Sequence, residues 1–219
     1  MSKDYGQFCG ISRAAQVLGE RWALMIVRDL TVSPRRFTDL HEGLPGIPTT
    51  VLTTRLRELE ESAVITRRAA PAPARGVLYE LTPRGHDLQP ILDALGRWGA
   101  EAMDTPRESE VVTDSSLAAA LRSAHRPDGP AGPLTYHVRS GAASAWATTC
   151  GDEVTVGPGE PSSDPELTIN AGPELRLLLA GTLTPEEALA SGDVTIAGSR
   201  HLLEEFSRSF HIPLSSSTP

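Results

Sequence analysis

The sequence predicts an α+β protein of two domains, a mainly helical one over residues 1–105 and an α+β one over residues 115–212. In the first half, apolar residues recur every three or four positions, which is the spacing of amphipathic helices. In the second half, alternating apolar and polar runs predict half-buried strands. The charge divides at the same place: residues 1–107 hold 14 Lys and Arg against 13 Asp and Glu, a net +1, whereas residues 108–219 hold 6 against 15, a net −9.

The composition argues against several classes of protein. Among the 219 residues, 39% are hydrophobic and 22% charged, and no apolar run approaches the ~20 residues that span a bilayer. The N-terminus lacks the apolar core of a signal peptide, so we expect a cytoplasmic protein with no membrane partner. Cys9 and Cys150 are far apart, and no histidine stands at metal-ligand spacing from another His or Cys. We therefore expect no disulfide framework, no metal and no cofactor.

The elements of the first domain follow from spacing and from turn residues. Two amphipathic stretches flank Gly19, a short helix through Phe37 and Leu40 ends at the Gly43–Gly46 turn, and Pro48 opens a helix that Ser62 ends. The runs 64–68 and 76–82 then predict a β-hairpin around a Pro/Gly loop, and Pro83 begins a last helix. This order of helices, hairpin and helix is that of a winged helix-turn-helix domain.

The second domain begins after a polar, acidic segment at residues 106–114, which is interpreted as a linker. The segments 134–139, 144–150, 153–156, 166–170 and 194–197 are the predicted strands. Predicted helices run from Gly172 to Gly181, from the capping box at Thr184 to Gly192, and over residues 200–210. The strands stand mostly before the helices, which favours an α+β arrangement. Residues 213–219 are predicted to be a disordered tail.

The segment TTVLTTRLRELE, residues 49–60, predicts a DNA-binding face. Leu52, Leu56 and Leu59 form its apolar side, whereas the other side carries threonines, which are mediocre helix formers. In a helix-turn-helix the second helix enters the major groove, where a threonine offers a hydroxyl to base edges and a methyl to thymine. The predicted DNA-binding residues, on this helix, on the helix before it and on the hairpin, are Arg35, Arg36, Thr49, Thr50, Thr53, Thr54, Arg55, Arg57, Arg67, Arg68 and Arg75. The alternative is a solvated helix face beside ordinary surface arginines.

The first domain resembles a known family of regulators. The runs YGQFC, VLGERWALMIVRDL, PRRFTDL, LPGIPTTVLTTRLRELEESAVITRR, YELTPRG and LDALGRWG are similar to the HxlR-type winged helix-turn-helix transcription regulators of the wider MarR-like group. The resemblance implies a homodimer that binds double-stranded DNA at a palindromic operator, with the first and last helices of the domain in the dimer contact.

The last helix of the first domain carries an apolar stripe that agrees with this expectation. Its members are Leu88, Ile91, Leu92, Leu95, Trp98 and Ala102. A small domain has too little core to cover so wide a stripe, which favours dimerisation through it. Packing within the domain is the alternative for about half of these residues.

Cys9 matches the position of an N-terminal cysteine that senses electrophiles or oxidants in some members of the family. A reactive thiol needs exposure and a lowered pKa, and Cys9 precedes the first predicted helix with Arg13 one turn further on. Gly10 stands where the family usually has proline, and a free cysteine is often an inert small hydrophobe. Both interpretations of Cys9 stay open at this point.

The second domain resembles the sterol-carrier-protein-like domains appended to some regulators, on the basis of the run DPELTINAGPELRLLLAGTLTPEEALASGDVTIAG and the helix after it. The resemblance implies an apolar cavity suited to a lipid-like or aromatic effector. The candidate lining residues are Leu175, Leu178, Leu179, Leu183 and Leu189, and an ordinary core is the alternative.

The sequence therefore predicts a homodimeric, sequence-specific DNA-binding transcription regulator, a repressor, with an apolar small molecule as the candidate effector of its C-terminal domain. Catalysis finds no support, because the chain has neither a nucleophile elbow nor a phosphate-binding loop. The alternative is a small-molecule carrier or interaction protein whose winged helix contacts only other proteins.

Overall fold

The computed structural model describes residues 5–73, 75–103, 106–127 and 132–214. The chain divides into two compact units, Met1–Leu92 and Asp93–Pro219. Most of the predicted tail, residues 213–219, lies outside the described residues.

The winged helix-turn-helix order predicted for the first half is confirmed. Its elements are α1 (Gly10–Leu18), α2 (Ala23–Val32), α3 (Phe37–Gly43), α4 (Thr49–Glu61), β1 (Ile65–Ala69), β2 (Val77–Leu81), α5 (Pro83–His86) and α6 (Gln89–Ala100). The core lies where α2, α3 and α4 meet. It includes Ile26, Leu40 and Leu52, each with 0% of its surface exposed.

The hairpin is joined to the helical part of the unit at two places. Strands β1 and β2 pair antiparallel with Ile65 opposite Leu81, and Tyr79 of β2 exchanges backbone hydrogen bonds with Arg35 just before α3. Gly85 of α5 lies so close to the hairpin base that a β-carbon there would come within 2.1 Å of the Val64 carbonyl oxygen. The wing is therefore held at a fixed place beside the helix-turn-helix.

The single helix predicted from Pro83 to Ala102 is wrong in one respect, because α5 ends at His86 and α6 begins at Gln89. Proline lacks a backbone N–H and is tolerated in the first turn of a helix but not in its interior. Pro90 therefore requires a new helix to begin just before it. Helix α6 ends at Ala100, which leaves Ala102 beyond it.

The second unit is built on a five-stranded sheet. Its elements are α7 (Asp114–Ala124), β3 (Leu134–Ser140), β4 (Ala143–Cys150), β5 (Glu153–Pro158), β6 (Leu167–Ala171), α8 (Leu175–Ala180), α9 (Pro185–Ser191), β7 (Val194–Gly198) and α10 (Arg200–Ser209). The strand order is β5-β4-β3-β6-β7, and only β3 and β6 run parallel. The five predicted strands and three predicted helices of this half are confirmed, whereas α7 was not predicted.

Aromatic rings form the centre of this second unit. Tyr136 lies edge-on to Phe206 and Phe210 of the C-terminal segment, at ring-centroid distances of 5.3 and 5.7 Å. Offset and edge-to-face contacts of this kind add to the stabilisation from burial. The last helix is therefore fixed against the central strand of the sheet.

Helix α7 contacts the second half of α6 inside the second unit. The Nε of Arg122 donates to an Asp93 carboxylate oxygen at 3.0 Å, and the two side chains are only 6% and 14% exposed. Arg97 donates to the Ser123 carbonyl oxygen at 3.1 Å. Among the described residues, no helix is long and apolar enough to span a bilayer.

Candidate nucleic-acid interface

Helices α3 and α4 meet at a turn that the core anchors. Leu44 and Ile47 in this turn are 2% and 4% exposed, and the Ile47 N–H donates to the Leu44 carbonyl oxygen. Leu52, Leu56 and Leu59 bury one side of α4, as predicted. The other side of α4 is thereby directed away from the core.

The outward side of α4 carries the predicted threonines and one exposed arginine. Thr49, Thr50 and Thr53 are exposed and Thr54 is half-buried. The side chain of Arg57 is 68% exposed, and its Nε lies 3.7 Å from a Glu61 carboxylate oxygen. Residues 49, 53 and 57 stand four positions apart and so follow one another along a single face.

The threonine hydroxyls on this face have different partners. The Thr53 hydroxyl donates to the Thr49 carbonyl oxygen at 2.8 Å, and the Thr54 hydroxyl donates to the Thr50 carbonyl oxygen at 2.9 Å. The Thr49 hydroxyl lies 3.4 Å from Nε2 of His41, an exposed residue of α3.

His41 is an exposed polar residue beside the threonines of α4 that was not predicted from the sequence. Its ring stacks on Phe37 with the ring centroids 6.4 Å apart. Little in the sequence indicated its role, because an exposed polar residue is not part of the apolar spacing from which the helices were predicted.

Arg55 is held within the protein, unlike Arg57. Its side chain is 19% exposed and pairs with Glu58 on α4 and with Glu20, which lies between α1 and α2. The Glu58 pair joins residues three apart on one helix, whereas the Glu20 contact depends on tertiary packing. Arg55 thus stabilises the position of α4 rather than extending from it.

Two arginines of the wing pair with acidic side chains, and a third lies in the loop between its strands. Arg67 lies 2.7 Å from Glu60, and Arg68 pairs across the hairpin with Glu80. The guanidinium of Arg36 donates to the Arg75 carbonyl oxygen, and the Arg75 side chain is exposed. Exposed pairs contribute only about 0–1 kcal/mol, so the guanidinium groups of Arg67 and Arg68 can exchange a carboxylate for a phosphate at small cost.

Arg35 belongs to the buried framework of the site. It is half-buried, and its positive charge, together with that of Arg28, lowers the pKa of Asp29. Asp29 is only 1% exposed, and burial outweighs both arginines, so the pKa of Asp29 is raised above its ordinary value. The charge of Arg35 therefore acts on a buried carboxylate, whereas the side chains of Arg57 and Arg75 are exposed.

The structure separates the six predicted dimerisation residues into two groups. Leu88 and Leu92 pack against the core of the first unit. Ile91, Leu95 and Trp98 on α6 are 53%, 44% and 75% exposed, and Ala102 is also exposed. A second exposed apolar set, which was not predicted from the sequence, consists of Tyr5, Phe8 and Ile11.

Cys9 is exposed and is the N-cap of α1. The backbone N–H groups of Ser12 and Ile11, at the start of α1, favour its thiolate and lower the pKa of the thiol. Arg13, which the sequence placed near this thiol, is not a cause of that shift. The helix N-terminus supplies the effect instead.

The candidate effector-binding leucines lie in the second unit. Leu175, Leu178 and Leu179 of α8 are at most 5% exposed, whereas Leu183 and Leu189 are half-buried. In the described part of the chain, no three His, Cys, Asp or Glu side chains are grouped so as to hold a metal ion.

Two helices joined by an anchored turn, a wing, and an exposed polar face on the second helix define a protein of the helix-turn-helix class. The model of the HxlR-like helix-turn-helix family matches residues 17–107. An uncharacterized HTH-type transcriptional regulator of Synechocystis is 35% identical over 101 residues, which are 46% of this chain and 75% of the relative. The chain therefore belongs to the HxlR-like helix-turn-helix family, and its relatives are transcriptional regulators.

Other relatives extend the comparison. The HTH-type transcriptional regulator YodB of Bacillus subtilis is 34% identical over 44% of this chain and 89% of its own. An uncharacterized HTH-type transcriptional regulator of Mycobacterium tuberculosis is 31% identical over 147 residues, 66% of this chain and 79% of its own. That match is longer than residues 1–107 and so includes part of the second unit. A solved MarR-family regulator from Porphyromonas gingivalis is 28% identical over 46% of this chain and 99% of its own, with a TM-score of 0.41.

Proposed function

We propose that this protein is a homodimeric repressor that binds a palindromic operator by inserting α4 into the major groove. The observation that carries the proposal is the division of α4 into a buried leucine side and an exposed side of threonines and Arg57. Side chains of these types bind base edges and phosphates, and a helix exposed only to water would favour better helix formers. The exposed arginines of the wing supply the phosphate contacts.

The exposed face of α6 supports the dimeric state in this proposal. Ile91, Leu95 and Trp98 stand at helical spacing and expose large apolar surfaces, which are costly unless another molecule covers them. A second copy of the chain is the proposed cover. The two recognition helices must then stand about one DNA turn apart, roughly 34 Å, to fill both half-sites.

The second unit is proposed to be a sterol-carrier-protein-like domain that binds an apolar effector. Support comes from its sheet with a cluster of buried leucines on α8. An effector alters repression only if it binds the DNA-competent and DNA-incompetent dimers with different affinities, an effect of about 1–3 kcal/mol in typical cases. A panel of fatty acids and aromatic acids, screened by thermal shift, would identify the ligand class.

Duplex binding at several salt concentrations tests the main proposal. The full-length protein is titrated with DNA that flanks its own gene and with a scrambled duplex of equal length. We expect preferential binding with a steep salt dependence, since each neutralised phosphate contributes about −0.9 to the log–log slope. Weak, salt-insensitive binding to both duplexes would favour the alternative, a carrier or interaction protein whose winged helix contacts other proteins.

A further inference from the structure

The hydroxyls of Thr53 and Thr54 both donate to their own helix. Their acceptors are the carbonyl oxygens of Thr49 and Thr50, one turn earlier, at 2.8 and 2.9 Å. Each hydroxyl proton is thus already used inside α4. A base acceptor, such as O6 of guanine or O4 of thymine, would have to compete with a hydrogen bond of good length.

The same bonds fix which group these side chains present outward. A threonine β-carbon carries a hydroxyl, a methyl and a hydrogen, and the side chain occupies a staggered rotamer. With its proton donated to the helix, the hydroxyl can offer another molecule only an acceptor, and the methyl is the apolar group of the side chain. Thr53 is exposed and Thr54 half-buried, so the methyl of Thr53 is the more accessible of the two.

Polar groups stand on both sides of this methyl along the helix. Thr49, whose hydroxyl lies 3.4 Å from Nε2 of His41, is one turn before Thr53. Arg57, 68% exposed, is one turn after it. The exposed face therefore has hydrogen-bonding groups at its ends and an apolar patch in its middle.

We propose that Thr53, with Thr54 beside it, recognises thymine through methyl–methyl contact and not through its hydroxyl. Thymine is distinguished in the major groove by its C5-methyl group, for which an apolar contact is the matching chemistry. Each half-site then contains at least one thymine opposite Thr53. This inference rests on the proposed function, because it requires α4 to lie in the major groove.

The experiment begins with a duplex selected from a randomised library by the full-length protein. Each thymine of the selected site is then replaced in turn by deoxyuridine, which removes only the C5-methyl group. At one or two positions per half-site we expect a loss of about fourfold in affinity, the effect of one buried apolar carbon of about 0.8 kcal/mol. This measurement needs no altered protein, so it does not depend on the folding of a variant.

Two variants then assign the loss to Thr53. Thr53→Ser keeps the hydroxyl and removes the methyl, so it should bind the thymine and deoxyuridine duplexes equally. Thr53→Val keeps a methyl and removes the hydroxyl, so it should retain the wild-type preference for thymine. Helix content and thermal stability of both variants are compared with wild type by circular dichroism.

The possible results separate this inference from the proposed function. If specific binding is found but no thymine is sensitive to deoxyuridine, the methyl contact is overturned while the DNA-binding proposal stands. The same holds if Thr53→Val loses the preference and Thr53→Ser keeps it, which would assign recognition to the hydroxyl. If the library yields no enriched sequence, the proposed function fails and the inference fails with it.

Discussion

Asp29 is a carboxylate in the core of the first unit, where it ties α2 to the segment before α3. It accepts hydrogen bonds from the Arg28 guanidinium at 2.7 and 2.9 Å, and the charge of Arg35 also acts on it. A buried charge destabilises the fold unless it is paired, so removing one partner leaves an uncompensated buried charge. Arg35, whose backbone pairs with Tyr79 of the wing, therefore lies within the electrostatic range of an acidic core residue.

The first prediction concerns the pH dependence that Asp29 imposes on stability. Its pKa is raised in the folded protein, mainly by burial, so between the unfolded and folded pKa values the native state binds more protons. This contribution to the free energy of unfolding is therefore fully present below the unfolded pKa of about 3.9 and is lost as pH rises through the folded pKa. Asp29→Asn cannot titrate, so its stability relative to wild type should increase as pH rises from 3.5 to 7.

Urea unfolding of both proteins across this pH range checks the prediction. Glu108→Gln, which removes an exposed carboxylate outside the first unit, is the control for a general effect of lost negative charge. Parallel pH profiles of wild type and Asp29→Asn would contradict the raised pKa of Asp29.

The second prediction concerns the reactivity of Cys9. Backbone N–H groups of Ser12 and Ile11 stabilise its thiolate, so in Cys150→Ser the rate of alkylation by iodoacetamide should reach half its maximum below the free-thiol pKa of about 8.5. If Cys9 is also the sensor, Cys9→Ser should abolish any release of DNA by oxidants. An alkylation midpoint at or above 8.5 would remove the basis for a sensing role, and oxidant-induced release that persists in Cys9→Ser would assign sensing to another group.

At the scale of elements, the periodic spacing of apolar residues predicted most helices and strands, whereas the contacts between elements could not be predicted. The predicted strand 144–150 differs from β4 by one residue, and the capping box at Thr184 is confirmed at the start of α9. Both follow from local chemistry that a short stretch of sequence contains. The exposed face of α4 could also be predicted, because the three leucines of its other side define the period.

Helix α7 was missed for a physical reason. Eight of its eleven residues are buried, yet most are alanine or serine, so the apolar contrast along the sequence is weak. Its burial comes from β4 and β5 on one side and from Asp93 and Arg97 of α6 on another. The pairing of Arg55 with Glu20 could not be predicted either, since it joins α4 to the segment between α1 and α2.

The third prediction separates the roles of α4 and the wing. Arg57→Ala should reduce sequence discrimination by about 1–3 kcal/mol, because Arg57 is the exposed cation on the groove-facing side of α4. Arg75→Ala should weaken binding to all duplexes alike and reduce the salt slope by about 0.9 per protomer. Arg208→Ala, on an exposed arginine of α10, serves as the matched control. Equal effects of Arg57→Ala and Arg75→Ala on every duplex would contradict the assignment of base contact to α4.

The fourth prediction concerns the exposed face of α6. Trp98→Asp places a charge in the proposed dimer contact and should convert the dimer to a monomer in sedimentation velocity, with a loss of operator affinity. Val111 is also apolar and 62% exposed but lies outside the helix, so Val111→Asp should leave the dimer intact. A wild-type monomer, or a dimer that persists in Trp98→Asp, would place the contact elsewhere.

At the scale of the whole molecule, the two halves differ in charge far more than in size. The −9 of residues 108–219 opposes the approach of phosphates, whereas the first 107 residues are nearly neutral and concentrate their arginines around α4 and the wing. Duplex affinity therefore depends on a local positive surface within a chain of net charge −8. A change of charge in the second half should therefore alter the affinity for every duplex through long-range electrostatics at low salt. It should not alter the sequence preference.

The fifth prediction tests this division with two exposed acidic residues of the second unit, Glu186 on α9 and Asp193 before β7. The double variant Glu186→Gln, Asp193→Asn should bind every duplex more tightly at 10 mM salt, where the Debye length is about 30 Å. The gain should disappear near 0.5 M salt, because screening then acts within about 3–8 Å. Fluorescence anisotropy with the selected and scrambled duplexes gives both affinities. An altered ratio between them would mean that the second half takes part in base recognition, since a long-range field weakens or strengthens all sequences alike.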